Sequence, residues 1–475
     1  MQKLTKIIAT IGPASDSVET IQELHENGMD IVRLNFSHGD YEYFSKIIDR
    51  IREVDENICI MLDTKGPEIR TNPFDNEGMQ LRKGDEIALE ESTENSSDVI
   101  RINYPIDEIA DETIVYFDDG LISAEVNNGR IRVLNDGFLG NKKSVTFKEH
   151  DAKLPFLTEK DKEDIRFGIS KGLDFVAASY VRNAEDIREL LSILESAESK
   201  MGIIAKIEHC NSVRNISEII DLADGIMVAR GDLGVEMDLE KVPYIQRRII
   251  KECNLIGKPV IVATQMLESM THSPRPTRAE VSDVSHAILQ GADAIMLSGE
   301  TARGKHPVES VQTMARIASV YDTKIQNVFH EPLGEMDHDN LNEITLFITK
   351  AAYLASKTIN VSAILTPTES GYTARKVARF RPKCRILAIT RDKTVSRQLN
   401  LVWGVFPVFE PTEYSNVESY VNDLVVMGMN MNFLKKGEMF VITAGHKLHE
   451  AGTTNLLEIY KVDDILERIN SVNYL

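Results

Sequence analysis

Eight short apolar runs between residues 6 and 300 constrain the fold more than any other feature of the sequence. They are apolar throughout and do not alternate with polar residues, which is typical of parallel strands covered on both faces. Helix-like segments separate most of them, so the pattern predicts an α/β fold whose simplest form is a closed (β/α)8 barrel of the TIM type. The runs lie at residues 6–12, 30–37, 58–66, 174–181, 202–208, 225–232, 259–266 and 294–300.

The helical period is lost after the third run. Residues 67–153 instead show hairpin signals, including NNG at 127–129 and NDG at 135–137, which predict an inserted all-β domain. The barrel would then consist of residues 1–66 and residues 154–330. An insert at the catalytic face could act as a lid that excludes water, or it could be a passive insertion. The sequence leaves both interpretations open.

Residues 340–475 again alternate between helix-like segments and short apolar runs, which predicts a C-terminal open α/β domain. A loop in this region runs from a strand end into a helix and is rich in hydroxyl groups. Backbone amides and hydroxyls at such a junction can bind a phosphate, although Ser and Thr there are also ordinary helix caps. The candidate effector residues of the loop are Thr366, Thr368, Ser370, Gly371 and Thr373.

Composition limits the partners. The 475 residues are enough for two to four domains. The chain has 54 Lys+Arg against 74 Asp+Glu, a formal charge of -20, which argues against nucleic acid or an anionic membrane as a partner.

Its N-terminal apolar stretch is too short for a signal peptide or a membrane span. The cysteines lack CxxC spacing and predict reduced thiols of a cytoplasmic protein; they are Cys59, Cys210, Cys253 and Cys384.

Two motifs at the polar ends of neighbouring runs carry the strongest chemical signal. AKIE at 205–208 and VARGDLG at 228–234 would place Lys206, Glu208 and Asp232 together at the barrel mouth. Protein sites hold Mg²⁺ with one or two carboxylates, and substrate phosphates and water complete its shell. The lysine could neutralise a phosphate that the metal positions. Taken singly, each carboxylate could instead be a helix cap or a salt-bridge partner.

Eight motifs in order resemble those of the pyruvate kinase family, and the resemblance covers essentially the whole chain. They are RLNFSHG (33–39), LDTKGPEIRT (62–71), DDGLI (118–122), AKIE, ARGDLG, ATQMLESM (263–270), PRPTRAE (274–280) and MLSGETA (296–302). The resemblance implies a barrel with a mobile β cap, a regulatory α/β domain and a homotetramer. It also implies the last step of glycolysis, transfer of the phosphoryl group of phosphoenolpyruvate to ADP, giving pyruvate and ATP.

The family pattern also assigns roles to individual residues. Glu208 and Asp232 would bind Mg²⁺ or Mn²⁺, and Lys206 would stabilise the migrating phosphoryl group. Since phosphoryl transfer spreads charge over phosphate oxygens, cations and positioning are what this chemistry needs. The remaining roles follow the same resemblance: Arg33 for the substrate phosphate, Arg70 and Asn35 for the nucleotide, the backbone amides of Gly231 and Asp232 for the substrate carboxylate, and Thr264 with Ser298 for the proton that reaches the enolate.

A monovalent ion, K⁺, is implied as a second cofactor. Four residues with oxygen ligands, of which one is a carboxylate, follow two adjacent strands, and this combination suits a singly charged ion. Glu68 supports the assignment because family members that dispense with potassium generally carry a lysine there. The predicted ligands are Asn35, Ser37, Asp63 and Thr64.

Some positions depart from the family pattern. His209 stands where asparagine is common, and the end of the cap reads KKSVTFKEH without the usual Leu-Pro-Gly turn. Tyr372 replaces a basic residue of the effector loop, and TAGH at 443–446 lacks a tryptophan after its glycine. A phosphorylated allosteric effector is still implied, with Gly452, Thr453 and Thr454 as a second set of candidate contacts, but its identity stays open.

Two other functions are compatible with parts of this pattern. A barrel that uses Mg²⁺ to stabilise an enolate, such as a carbon–carbon lyase, could share Glu208 and Asp232 but would not need Lys206, Arg70 and the potassium set. A catalytically silent metabolite-binding protein would be expected to lack Lys206 or Thr264, and both are present.

Overall fold

Eight parallel strands close into a barrel in the computed structural model, which describes residues 3–96, 98–325, 343–412, 417–445 and 454–472. With the strands of the whole chain numbered in order, the barrel strands are β1 (Lys6–Thr10), β2 (Ile31–Asn35), β3 (Cys59–Asp63), β12 (Phe175–Ala178), β13 (Gly202–Ile207), β14 (Gly225–Ala229), β15 (Val260–Ala263) and β16 (Ala294–Leu297). Neighbours in the barrel are neighbours along the chain once β4 to β11 are left out. The predicted (β/α)8 barrel is confirmed.

Both faces of these strands are buried, which explains why the runs are apolar throughout. One set of side chains fills the barrel interior, including Ile8, Met61, Phe175 and Met227. The alternate set packs against the surrounding helices. The helices of this part are α1 (Val18–Glu26), α2 (Tyr41–Val54), α3 (Glu159–Ser170), α4 (Ala184–Ser196), α5 (Cys210–Arg214), α6 (Ile216–Leu222), α7 (Arg230–Glu236), α8 (Val242–Ile256), α9 (Arg278–Gln290), α10 (Gly299–Ala302) and α11 (Pro307–Tyr321), with short 3₁₀ turns at Leu239–Lys241 and Glu268–Thr271.

The segment between β3 and β12 is an all-β insert with its own apolar core. A six-stranded sheet has the order β11-β7-β8-β9-β5-β6, and β10 pairs with β4 in a second sheet. The NNG signal forms the β8–β9 hairpin, where Asn128 and Gly129 both have positive φ, as a type I′ turn requires. The elements are β4 (Gly78–Leu81), β5 (Glu86–Glu91), β6 (Ile100–Ile102), a 3₁₀ turn (Ile106–Glu108), β7 (Ile114–Phe117), β8 (Ile122–Asn127), β9 (Arg130–Val133), β10 (Gly137–Gly140) and β11 (Val145–Phe147).

The C-terminal region is an open five-stranded sheet flanked by helices, as predicted. The strand order is β19-β18-β17-β20-β21, parallel except for the antiparallel pair β20–β21. Its elements are α12 (Glu343–Thr358), β17 (Ala363–Pro367), α13 (Tyr372–Ala378), β18 (Arg385–Thr390), α14 (Lys393–Gln398), a 3₁₀ turn (Leu399–Leu401), β19 (Val405–Phe409), α15 (Val417–Asn430), β20 (Met439–Gly445), β21 (Thr454–Lys461) and α16 (Val462–Val472).

The final helix α16 was not among the predicted elements. It begins with Asp463 and Asp464, which suit the positive end of the helix dipole. Buried Val462 and Ile465 lie on one face and join the core of the C-terminal sheet. The helical period was therefore present in the sequence. It follows β21 directly, and no turn residue separates the strand from the helix.

The C-terminal domain is fastened to the end of the barrel opposite the strand carboxyl ends. Leu401 reaches the apolar interior of the barrel, and Arg381 pairs with Asp293 of the barrel at 3.0 Å. Trp403 is fully buried, and its backbone N–H donates to the same Asp293. These contacts leave the mouth of the barrel free for chemistry.

Within the described ranges, no helix combines the length and the apolar character needed to cross a bilayer.

Candidate active site

Lys206 is the centre of a buried polar network at the mouth of the barrel. Its Nζ contacts Asp63 Oδ1 at 3.0 Å, Ser179 Oγ at 2.6 Å and Glu208 Oε1 at 2.8 Å. These three partners lie at the carboxyl ends of β3, β12 and β13, which are adjacent in the barrel. Burial alone would lower the pKa of Lys206, but the carboxylates of Asp63 and Glu208 outweigh it and raise that pKa. The lysine is therefore held as a cation.

Arg33 holds the other side of Asp63. Its Nε donates to Asp63 Oδ2 at 2.6 Å and its Nη1 to Thr10 Oγ1 at 2.9 Å. Burial would raise the pKa of Asp63, but Arg33 and Lys206 lower it on balance. One buried carboxylate thus fixes two cations side by side, and Nη2 of Arg33 makes no hydrogen bond to any residue the structure describes.

Glu208 and Asp232 fit a divalent cation. Glu208 is 2% exposed and its Oε2 accepts the N–H of Tyr180 at 2.7 Å. Among the described residues, Asp232 forms no ion pair, and its carboxylate is bonded only to its own backbone. Burial and the charge of Glu208 raise the pKa of Asp232 to about 7. Hard carboxylate oxygens are the ligands that Mg²⁺ prefers, so a divalent cation bound by both side chains would offset the repulsion that Asp232 experiences from Glu208.

Thr264 lies beside this pair in a strained turn after β15. Both Thr264 (φ 69°) and Gln265 (φ 52°) are left-handed, which is an outlier for a β-branched residue and is typical of functional sites. The Thr264 hydroxyl donates to Ala263 O at 2.7 Å and accepts the N–H of Gly231 at 2.8 Å. The predicted carboxylate-binding amide of Gly231 is therefore in direct contact with the predicted proton relay.

Arg230 clamps the strained turn. Its guanidinium donates to Thr264 O at 2.7 Å and to both carboxylate oxygens of Asp283 at 2.8 and 2.7 Å. It also donates to Ala263 O at 3.3 Å. The side chain thus fixes the backbone that carries Thr264.

The predicted potassium ligands meet at the ends of β2 and β3. Asn35 lies opposite Asp63 in the strand register, and its side-chain oxygen accepts the N–H of Ser37 at 3.1 Å. Thr64 is buried beside them, with its hydroxyl accepting the N–H of Ser179 at 3.1 Å. Because Asp63 is already paired with two cations, an ion that shares it must carry a low charge. A monovalent ion fits that balance.

Two predicted residues stand apart from the central network. Arg70 contacts Oε2 of Glu68 with both Nε and Nη2 at 2.7 Å and donates to Lys142 O at the root of the insert. Ser298 follows β16, next to β15, and its backbone N–H donates to the buried Glu300 at 2.8 Å. Within the described part of the chain, neither side chain forms a hydrogen bond or an ion pair with Lys206, Glu208 or Asp232.

His209 connects the barrel mouth to the end of the insert. Its Nδ1 accepts the N–H of Asn211 and caps α5, while its Nε2 donates to the backbone oxygen of His150 at 3.2 Å. His150 in turn contacts Tyr104 inside the insert at 3.1 Å. The side chain of His209 therefore binds the backbone at the end of the insert, where the chain returns to the barrel. His209 is also the residue directly after the predicted metal ligand Glu208.

The predicted effector loop is partly built into the sheet. Thr366 is fully buried and contacts Thr443, and Thr373 contacts Thr454 at 2.7 Å. Gly371 begins α13 with φ 74°, and no side chain caps this helix start, so its first amides are not taken up by a Ser or Thr cap. Thr368 and Ser370 complete the loop. Gly452 and Thr453 lie outside the described residues.

Sequence reasoning did not select four residues that organise this site. They are Ser179, which contacts Lys206; Tyr180, whose N–H binds Glu208; Arg230, which clamps Thr264; and Glu300, whose carboxylate accepts the N–H groups of Leu267 and Ser298. Each of them follows a barrel strand by one to three positions. Their position just after an apolar run was therefore the sequence signal that could have identified them.

Comparison with known proteins gives a consistent result over nearly the whole chain. The family model described as "Pyruvate kinase, barrel domain" matches residues 2–311, and "Pyruvate kinase, alpha/beta domain" matches residues 347–460. Proteins named "Pyruvate kinase" from Geobacillus stearothermophilus and Sporosarcina psychrophila are each 44% identical over 98% of this chain, covering 82% and 81% of their own lengths. One from Staphylococcus aureus (strain USA300) is 41% identical over 97% of this chain and 80% of its own.

Proposed function

Since the chain belongs to the pyruvate kinase family, whose reaction is phosphoryl transfer from phosphoenolpyruvate to ADP, we propose that the network around Lys206 is where this chain performs it. The enzyme is a phosphotransferase of glycolysis, and its substrates are phosphoenolpyruvate and ADP. The observation that carries the assignment of the site is the convergence of Arg33, Lys206, Glu208 and Asp232 at one end of the barrel.

Arg33 and Lys206 would bind and orient the phosphoryl group. Asp63 fixes both cations through separate oxygens, so little reorganisation is needed when charge develops on the phosphate. Arg33 would bind the phosphoryl group with its Nη2. Lys206 would bind it with the N–H group that points to Glu208 in this structure. Arg70, at the root of the insert, would contact the phosphates of ADP, with Asn35 nearby on β2.

The family in general depends on a divalent cation and on potassium. We propose Glu208 and Asp232 as ligands of Mg²⁺ or Mn²⁺, and Asn35, Ser37, Asp63 and Thr64 as ligands of K⁺. When bound, these cations would neutralise the charge of the phosphoryl group and of the enolate oxygen. Burial and the charge of Glu208 raise the pKa of Asp232, and this supports the divalent assignment.

Thr264 would deliver a proton to the enolate that remains after transfer. Its hydroxyl is held by Ala263 O and the N–H of Gly231, and Arg230 fixes its backbone. The amides of Gly231 and Asp232 would orient the substrate carboxylate on the same side. Ser298, at the neighbouring strand end, would take part in the proton path through water.

Potassium dependence is the first expected result, and it also tests the reaction itself. A coupled assay with phosphoenolpyruvate, ADP and Mg²⁺ should show ATP formation that falls steeply when a bulky ammonium salt replaces K⁺. Glu68→Lys should raise the rate without K⁺ by about tenfold or more, because a unit charge at ~4 Å is worth up to ~4 kcal/mol before solvent screening.

Glu68→Gln is the matched control for that substitution. It also breaks the contacts of Glu68 with Arg70 and Lys65, but it adds no ammonium group. The glutamine variant should therefore keep the potassium requirement. Equal rates of the unmodified enzyme with and without K⁺ would rule out the ion, and absence of ATP formation under all conditions would rule out the proposed site function.

Regulation through the effector loop is a second proposal. The uncapped start of α13 and the hydroxyls of Thr368 and Ser370 provide donors for a phosphorylated effector. We expect one of fructose bisphosphate, ribose 5-phosphate, glucose 6-phosphate or AMP to shift the half-saturating phosphoenolpyruvate concentration by about 5- to 150-fold. Thr368→Glu combined with Ser370→Glu should abolish that shift. A shift that persists in this variant, or no shift in the unmodified enzyme, would place regulation elsewhere.

The remaining assignments are also proposals. We propose a barrel at residues 1–66 and 154–330, a cap at 67–153 that closes as a lid, and a regulatory domain at 340–475. A homotetramer is supported by exposed apolar side chains around the start of α8, where Leu239 and Tyr244 are 70% and 73% exposed. A cytoplasmic location is supported by four buried, unpaired cysteines.

A further inference from the structure

Four cationic side chains meet where α13 of the C-terminal domain packs against the end of α8. Lys258, Arg375, Lys376 and Arg379 form this group, here termed the basic cluster. The side chains of Lys376 and Arg379 run over Gly257, with Cδ atoms 3.3 and 3.6 Å from where a Cβ of that glycine would lie. Lys376 donates to Ile256 O, and Lys258 donates to Ala223 O and to Asp221 O. The basic cluster therefore lies between barrel and C-terminal domain.

Arg379 is the member that packing does not explain. It is 2% exposed, and its Nε and Nη1 have no hydrogen-bond partner in the described part of the chain. Its guanidinium lies 5.0 Å from the ring centre of Phe380, a contact that does not replace hydrogen bonds. A buried cation with unsatisfied donors is costly.

Arg381, two residues further on, shows how the fold satisfies a buried arginine that has a structural role. It is 1% exposed and binds both oxygens of Asp293 at 3.0 Å, Asn254 at 2.8 Å and Gly291 O at 2.6 Å. Lys376 and Lys258 likewise donate to backbone carbonyl groups. The Nε and Nη1 donors of Arg379 have neither an acid nor a carbonyl partner among the described residues.

The electrostatics of the basic cluster are unbalanced. Burial, with the charges of Arg379, Arg375 and Lys258, lowers the pKa of Lys376 to about 7, and burial lowers the pKa of Arg379 to about 10. Asp221 and Asp224 act on Lys258, and Asp224 acts on Arg375. Among the described residues, no acid offsets the burial of Lys376, and Tyr372 alone offsets that of Arg379.

We propose that the basic cluster is a binding site for a phosphate group, held by the free Nε and Nη1 donors of Arg379 together with Lys376, Arg375 and Lys258. A phosphate carries up to two negative charges and accepts several N–H groups, and arginine matches its geometry with paired donors. Lys258, Arg375 and Tyr372 are half-buried, so the site opens to solvent on their side. Binding there would join the barrel to the C-terminal domain.

This site is distinct from the effector loop and from the barrel mouth. The loop precedes α13, whereas the basic cluster lies on the face of α13 that meets the barrel. Arg375 connects the two, since its Nη1 donates to Ser370 O at 3.1 Å. The proposed phosphate ligands Arg33 and Lys206 lie near the carboxyl ends of β2 and β13, while the C-terminal domain closes the opposite end of the barrel.

Calorimetric titration of the full-length enzyme with inorganic phosphate, and separately with glycerol 3-phosphate, tests the proposal. We expect Arg379→Met to remove one saturable binding event, with affinity falling by about 10- to 100-fold. The activity with phosphoenolpyruvate and ADP should be retained.

Without any added phosphate, the variant should melt at a higher temperature than the unmodified enzyme, because an uncompensated buried charge is gone. In the titrations, tighter binding of glycerol 3-phosphate than of inorganic phosphate would identify a phosphorylated metabolite as the ligand. The opposite order would identify the free anion.

Control variants separate this site from the others. Lys383→Met removes an exposed lysine of the same domain and should change nothing. Thr368→Glu with Ser370→Glu should leave the Arg379-dependent binding in place even if the loop proposal fails, and Lys206→Met should leave it in place even if the active-site proposal fails. Lys376→Gln should reproduce the loss if Arg379→Met does not fold. Binding that survives both substitutions, or no binding of either probe to the unmodified enzyme, would overturn the proposal.

Discussion

Lys206→Met is expected to slow phosphoryl transfer by about 1,000-fold or more while leaving divalent-ion binding intact. The substitution removes the cation that we place at the migrating phosphoryl group, and loss of one such charge from a preorganised site costs about this much. It also removes the contact of Lys206 with Glu208 at 2.8 Å, so Glu208 should bind a cation at least as well as before. Single-turnover transfer from phosphoenolpyruvate to ADP, and Mn²⁺ binding by electron paramagnetic resonance, measure the two effects separately.

Lys160→Met is a matched control for this prediction. Lys160 is also a barrel lysine, paired at 2.6 Å with the buried Asp164 and bonded to Phe36 O, but it lies outside the network of Lys206. Its loss should change the turnover rate only slightly. If Lys206→Met also transfers the phosphoryl group at a near-normal rate, or if both variants lose activity equally, the assigned role of Lys206 is wrong.

A structural cost accompanies the loss of Lys206. Asp63 would keep its contact with Arg33 at 2.6 Å, whereas Ser179 and Glu208 would each lose a donor. Removing one partner of a buried ion pair typically costs about 3 to 5 kcal/mol, and the remaining arginine should keep the loss at the lower end. Urea unfolding of the variant therefore controls for misfolding in the kinetic experiment.

The architecture was predictable because each of its layers leaves a periodic trace. Barrel strands such as β13 and β14 are buried on both faces, so they are apolar throughout and stand out against amphipathic helices. The insert was recognisable by the opposite signal, turn residues such as Asn128 and Gly129 between short alternating runs. Helix α16 was missed because it follows β21 without a break, so that one apolar pattern changes into another at Val462.

The site was only partly predictable, for a physical reason. Lys206 and Glu208 are separated by one residue within a motif, so their proximity follows from local sequence. The contact of Lys206 with Ser179 depends on strand register between β12 and β13, where Ala178 pairs with Ala205. A one-residue change of register would turn every side chain to the other face. No periodicity reports that register, so residues such as Ser179 and Tyr180 were not singled out.

Backbone strain was equally invisible in the sequence. Nothing in ATQM indicates that Thr264 and Gln265 both have positive φ, since β-branched residues disfavour that region. The strain is stabilised by Arg230, which comes from the end of a different strand. Residues that act by positioning a neighbour in this way become apparent only when the contacts are known.

Asp232→Asn is expected to weaken divalent-ion binding by about 100-fold or more and to abolish most turnover. Asp232 has no competing ion pair among the described residues, whereas Glu208 is already held by Lys206 and by the N–H of Tyr180. The substitution keeps the shape of the side chain and removes one of two carboxylates near the ion. A unit charge about 4 Å from a cation is worth roughly 4 kcal/mol per unit of cation charge at an effective dielectric of 20, enough for this loss even after partial screening.

Glu236→Gln provides the control within the same helix α7, one turn beyond Asp232. Glu236 is 7% exposed, and its Oε2 has no hydrogen bond to a described residue. Burial raises its pKa to about 8, as burial and Glu208 raise that of Asp232 to about 7, so it matches Asp232 as a buried carboxyl group with a raised pKa. It faces His209 at 3.6 Å and not Lys206. If Asp232 is a ligand, titration with Mn²⁺ should show a loss of affinity in Asp232→Asn and little change in Glu236→Gln. Equal losses would mean that the carboxyl groups of α7 act on the ion without distinction, and unchanged affinity in a folded Asp232→Asn protein would remove Asp232 from the metal site.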